Sequence, residues 1–163
     1  MDLADLQKLL DRAAQELPDK ALRIIGVEGK NFIAKNFKDE GFTDTSFKKW
    51  EDRKTTDNYG RDKTRYRTSR RGRAGDLNQF GRRNMDRAIL VGFSTDGNKL
   101  KNSYRYRINL GSKTVSFYTN KEYAQAHNEG IGDLPKRQHI GKSDYLNEQI
   151  GKKITKELDK LFK

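Results

Sequence analysis

The chain contains no cysteine, and only two prolines and two histidines in 163 residues. Without cysteine there is no disulfide, no thiolate metal site and no cysteine nucleophile. Such a composition fits a reducing compartment. No run of about 18 apolar residues occurs, so no transmembrane helix is expected. The opening stretch MDLADLQKLL is acidic and amphipathic, unlike the basic segment and solid apolar run of a signal peptide, and none is expected. The expectation is a soluble chain used in a cytoplasm. Hydrophobic residues make up 33% and charged residues 36%, against about 25% charged in an ordinary soluble domain. A single domain of this length then has a small core. Eight Phe, seven Tyr and one Trp supply much of its area.

What is abundant is positive charge. The net charge is +12, which implies attraction to a polyanion or an acidic protein surface. It is unevenly placed: Arg53–Arg87 holds twelve Lys and Arg against four Asp, a net +8. This stretch has no sustained period of 2 or 3.6 and four glycines, so it reads as a long, basic, flexible loop. Arg61, Arg65, Arg67, Arg70, Arg71 and Arg73 are its candidate contacts to DNA or to a partner. Tyr59, Tyr66 and Phe80 lie among the arginines and suit stacking on bases. Contact with an acidic protein stays open beside nucleic acid.

Around that loop the pattern is regular. Leu3, Leu6, Leu10, Ala13 and Leu17 recur at helical spacing, with Asp2 as cap. Pro18 is expected to break this helix and open a second over 19–39, whose face is Leu22, Ile25, Gly29, Phe32, Ile33 and Phe37. Gly41 is expected to end it. Thr45 or Ser46 caps a short turn carrying Phe47 and Trp50, with Trp50 as a core anchor. RAILVGF, from Arg87, suits a short strand. In YRYRINLGSKTVSFY, apolar and polar residues alternate around Gly111-Ser112, a hairpin signal. Pairing Leu110 with Lys113 sets Ile108 opposite Val115 and Tyr106 opposite Phe117, all on one face. NKEYAQAHNEG reads as a short helix from Asn120 to Gly130. Ser143 caps a last helix striped by Leu146, Ile150, Ile154, Leu158 and Leu161 or Phe162.

Both histidines fall in YAQAHNEGIGDLPKRQHIGKS, Tyr123 to Ser143. His127, Glu129 and His139 are the only grouping of His with an acid, yet the histidines are twelve apart across a Gly/Pro loop. Zinc helices place two ligands four apart. No G-x-S-x-G, P-loop or fixed carboxylate pair occurs, Asp133 and Asp144 merely flanking the loop. The stretch therefore reads as structural, and no catalytic residue, cofactor or metal is assigned.

The order of signals resembles the tailed-phage virion morphogenesis family, also described as tail completion or head–tail joining proteins. The resemblance spans about Phe37 to Phe162. Its pieces are Phe47 and Trp50, a variable basic stretch, Ile89 to Val91, a hairpin and a terminal amphipathic helix. The sharpest are Tyr123-Ala124 followed by His127-Asn128-Glu129-Gly130, and Pro135-x-Arg137 leading to Gly141-x-Ser143. The chain departs from the family at Thr95–Leu100, where a shorter turn is usual, and at Gln138-His139, where an apolar pair often stands. The resemblance implies structural work in a virion, not catalysis: a homo-oligomeric ring at the tail end or neck, contacting other tail or neck proteins. It places the protein at the head–tail region, and in the host bacterial cytoplasm during assembly. Tyr123, His127, Gly130, Pro135 and Arg137 are then its structural motif. A ring around a DNA channel gives the basic loop a lumen, so non-specific contact with packaged DNA stays open. A basic nucleic-acid-binding accessory protein is the alternative. The expected fold is one α+β domain: a small antiparallel sheet centred on the 104–118 hairpin, packed by the 19–39 and 143–163 helices, with no membrane segment.

Overall fold

A computed structural model describes residues 3–68, 75–92 and 99–162. The chain runs α1 (Leu3–Asp39), β1 (Gly41–Thr43), β2 (Phe47–Lys49), α2 (Gln79–Asn84), α3 (Leu100–Ser103), β3 (Arg105–Asn109), β4 (Thr114–Tyr118), α4 (Tyr123–Glu129) and α5 (Asp144–Leu161). The class is α+β. Two antiparallel hairpins, β1–β2 and β3–β4, are packed by the terminal helices. Among the described residues no helix is long and apolar enough to cross a membrane.

α1 organises the rest, packing against α5 on one side and the β3–β4 hairpin on the other. Its C-terminal half carries the apolar stripe. Leu22, Phe32, Ile33 and Phe37 are all buried. Ile33 and Phe37 join Trp50, Ile89, Leu100, Tyr104 and Ala124 in one cluster, with Leu90, Phe117 and Ile140 against it. Phe37 meets Trp50 edge-on at 5.5 Å between centroids, the arrangement that ring quadrupoles favour. The hairpin has the register that its alternation requires: Tyr106 opposite Phe117 and Ile108 opposite Val115. Ser143 caps α5, its side chain accepting the Leu146 N–H. Its Oγ also donates to the Thr43 carbonyl at 2.8 Å, and Asp144 N–H donates to Asp44 Oδ1 at 2.8 Å. The start of α5 is thereby tied to the β1–β2 turn.

Several local expectations give way to tertiary context. Pro18 does not divide the first helix; α1 is continuous over 37 residues with Pro18 inside. Proline lacks the N–H that would reach Ala14, but Glu16 pairs with both Arg12 and Lys20 at 2.8 Å, bracketing the site. Those two hydrogen bonds, that from Lys20 first, hold the Glu16 carboxyl down at about 2. The helix ends at Glu40, in the left-handed region at φ 53, rather than at Gly41. Glu40 is held there because its carbonyl accepts from Trp50 N–H at 2.7 Å and its carboxylate from Ile89 N–H. Phe47 lies in β2 of a hairpin, with Trp50 just after it, rather than on a capped short turn: Phe42 pairs with Lys48.

The Arg87–Gly92 segment is a turn instead of a strand, with Leu90 at φ 57, and Phe93 lies outside the described residues. Glu122 rather than Asn120 precedes α4, without a side-chain cap. The basic stretch is not wholly irregular. It contains α2, capped by Asn78, and two isolated bridges, Thr56 with Asp62 and Arg67 with Leu77.

Gly26 and Gly29 place the α1 backbone directly under the hairpin rings. A Cβ at Gly26 would run into the Tyr106 ring, and one at Gly29 into the Phe117 ring. Alanine is favoured over glycine inside a helix by about 1 kcal/mol. Here the overlap outweighs that gain. Gly26→Ala and Gly29→Ala should each lower stability by about 1–3 kcal/mol in urea denaturation, whereas the open-faced Gly151→Ala in α5 should raise it by up to about 1 kcal/mol.

Candidate functional site

The motif of Tyr123, His127, Gly130, Pro135 and Arg137 forms one structural unit. α4 stops at Gly130, in the left-handed region at φ 74, where its N–H donates to the Ala126 carbonyl. A Cβ at this glycine would lie 2.8 Å from Lys136 N, so the returning loop closes tightly over it. Pro135 is half-buried in that loop. Tyr123 stands edge-on to His127 at 5.9 Å, and Arg137 N–H donates to the His127 carbonyl at 2.8 Å. The Arg137 side chain then crosses to the segment after β2. Its Nε and Nη2 donate to the Glu51 carbonyl at 3.2 and 3.0 Å, and Nη2 to the Asp52 carbonyl at 3.3 Å.

The segment that follows Arg137 lies deepest. His139 is 0% exposed. Its Nδ1 is 2.9 Å from the Arg137 carbonyl and its Nε2 is 2.7 Å from the Tyr104 hydroxyl. A carbonyl only accepts, so Nδ1 carries the proton and Nε2 accepts from the tyrosine. The backbone around it is met by side chains. Asn128 Oδ1 accepts from both His139 N–H and Ile140 N–H, at 2.9 and 3.0 Å. Asn36 Nδ2 donates to the His139 carbonyl at 3.2 Å, and Trp50 Nε1 to the Gln138 carbonyl at 2.7 Å. Burial pushes the Tyr104 hydroxyl up to about 12. Burial also pushes the His139 imidazole down, against the Arg137 carbonyl hydrogen bond. His127 is pushed down by burial and, less, by the Arg137 charge.

In the sequence His139 stands as part of a metal grouping set aside on its spacing and as a departure from an apolar pair, and Asn36 is not singled out. A signal is present all the same: Asn36 stands between Ile33 and Phe37 on the buried face of α1, where a polar residue must have a partner. Among the described residues no group of three or more His, Asp and Glu side chains converges as metal ligands would.

The candidate arginines of the basic stretch are not equivalent. Arg67 is structural: its Nε is 3.2 Å from Asp62 Oδ2, and its Nη1 donates to the Gly75 carbonyl at 2.8 Å. Asp62 is held low first by the Thr64 hydroxyl. Arg61 pairs with Asp57 at 2.8 Å and lies 5.0 Å from the centroid of Tyr59, itself 84% exposed. Arg65 lies 4.2 Å over the Phe80 ring and is exposed. Arg70, Arg71 and Arg73 lie outside the described residues. The structure therefore brings the Tyr123–Arg137 motif together, and it sets Arg61 and Arg65 on separate aromatic platforms.

Asn128→Ala would leave two buried N–H donors unpaired and should cost about 2 kcal/mol or more in chemical denaturation. His127 and His139 both have folded values below the ordinary 6.5. The unfolded chain then binds more protons than the folded one below about pH 6.5. Stability is complete above that pH and should fall as pH drops through it, by about 1.4 kcal/mol per unit for each histidine still neutral. Thermal melts between pH 7.5 and 5.5 measure this, and a flat profile would show that neither histidine is held neutral. No protein-family model, no curated protein and no solved structure matches this chain.

Proposed function

We propose that this chain is a structural assembly protein of a tailed-phage or prophage virion. It acts at the tail end or head–tail junction as a tail-completion, terminator or neck protein. It works by protein–protein contact, as a homo-oligomeric ring beside other tail or neck proteins, in the virion and during assembly in the host cytoplasm. The order of motifs supplies the phage reading. The observation that carries the assembly reading is the unfinished burial of the terminal helices. α5 is amphipathic, yet none of its eighteen residues is fully buried. The stripe Leu146, Ile150, Ile154, Leu158 and Leu161 is only half-covered by α1. On α1 and at the end of α5, Leu10, Val27 and Phe162 are 45%, 45% and 48% exposed. Apolar surface of this extent on a highly charged chain suits a subunit whose neighbours complete its packing.

The alternative, a basic nucleic-acid-binding accessory protein, rests on Arg61 over Tyr59 and Arg65 over Phe80. An exposed cation beside an aromatic ring suits single-stranded bases and phosphates.

Sedimentation velocity at micromolar concentration separates the two. The assembly reading expects an oligomer, weakened by Val27→Glu without loss of melting temperature, and DNA binding that vanishes at moderate salt. A protein that stays monomeric at every concentration and binds DNA selectively, and whose Arg61→Gln/Arg65→Gln double variant no longer binds it, would replace the assembly reading with the alternative.

A further inference from the structure

A cavity of about 350 Å³ opens between the α4 motif and the basic stretch, lined by Arg53, Arg87, Arg137, His127, Tyr123 and Leu90 among others. Three guanidiniums share it, and among the described residues no Asp or Glu lines it. Two of the three are fixed in place by main-chain carbonyls rather than carboxylates. Arg137 commits Nε and Nη2 to Glu51 and Asp52, and Arg53 commits Nη2 to the Ala88 carbonyl. Among the described residues, Arg137 Nη1 and Arg53 Nε and Nη1 have no protein acceptor, and neither arginine has an ion-pair partner. Glu51 pairs with Lys54 at 3.6 Å and Asp52 with Lys49 at 3.5 Å, and with Glu40 they act on Arg137 through charge without an ion pair to it. His127 Nδ1 is buried and has no hydrogen-bond partner. The arginines repel one another: Arg53 and Arg65 add to burial in pulling Arg87 below its ordinary value.

Converging guanidinium forks, with spare donors on Arg53 and Arg137, suit a compact anion with several acceptor oxygens. A buried unpaired nitrogen calls for a partner of its own. We propose that this cavity binds a phosphate group, with Arg53, Arg87 and Arg137 on its oxygens and His127 Nδ1 donating to it. The volume admits a phosphate and part of whatever carries it. Tyr123, half-exposed at the cavity, would flank the attached group. This inference does not depend on the virion reading, because the cavity lies away from the α1–α5 seam.

Isothermal titration with inorganic phosphate, at fixed ionic strength set by chloride, tests it. Saturable one-to-one binding is expected, together with movement of the His127 imidazole resonances in the wild-type protein. Among the described residues the charged and titratable groups around His127 are Arg53, Arg87, Arg137, Tyr123 and the neighbouring His139, with Glu51, Glu40 and Asp52 acting on Arg137. A dianion among them stabilises the imidazolium, so the His127 midpoint should rise on binding. Arg53→Gln and Arg87→Gln should each weaken binding about tenfold or more with melting temperature unchanged. The wild-type resonance shift stands even where a variant fails to fold. A 5′-phosphorylated dinucleotide tells a nucleic-acid terminus from free phosphate: binding at least as tight as inorganic phosphate identifies a terminal phosphate as the ligand, and weaker binding identifies the free ion. Acetate binding as tightly as phosphate, an unphosphorylated dinucleotide binding as tightly as its phosphorylated form, or no His127 response beyond chloride would each overturn the proposal.

Discussion

Four residues of non-regular backbone, Arg137 to Ile140, pass through the centre of the protein, and every peptide group buried there needs a hydrogen-bond partner. No strand ladder runs through it. Its backbone is met by the His127 carbonyl and by side chains of Asn36 from α1, Trp50 just after β2 and Asn128 from α4, and Tyr104 before β3 holds the His139 ring. Each of these bonds fixes the segment that sends it. The α1 stripe, both hairpins and α4 are therefore aligned by one shared requirement, and the aromatic core closes around His139, with Phe37 at 4.9 Å and Tyr104 at 5.5 Å.

Charge is sorted by what answers it. Arg67 and Arg137 are taken up by carbonyls and by one aspartate, and they hold loops to one another. Arg61 and Arg65 rest on aromatic rings at the surface. Arg53 holds the Ala88 carbonyl, and with Arg87 it lines a cavity. In a chain of net charge +12 such crowding costs self-repulsion. That cost falls in the segment joining the two hairpins, away from the tightly packed centre.

Features set by neighbours along the chain were legible in the sequence. Alternation and a turn signal gave the β3–β4 register, a serine before an acidic first turn gave the start of α5, and a glycine gave the end of α4. The class of fold followed from these. Features set across the chain were not. Pro18 is tolerated because a long helix has partners on both sides of it. Ile89 looks like strand because it is apolar and branched, yet Glu40, forty-nine positions earlier, holds it in a turn. In the same way Arg67 looks like its neighbours in a basic run until Asp62 and the Gly75 carbonyl are placed beside it. His139 looks like an interruption of an apolar pair, and becomes intelligible only with Tyr104 and Asn128 in view.

The central segment also has a consequence for the order of events during synthesis. The bond from Asn36 to His139 closes a loop of 103 positions, and that from Trp50 to Gln138 one of 88. Until the ribosome has released the chain beyond Ile140, the face of α1 and the indole of Trp50 have nothing to close upon. Long-range closures of this kind are slow and come late. The native centre thus exists only on a chain translated past Ile140, and a product terminated before that point lacks the backbone that Asn36 and Trp50 close upon.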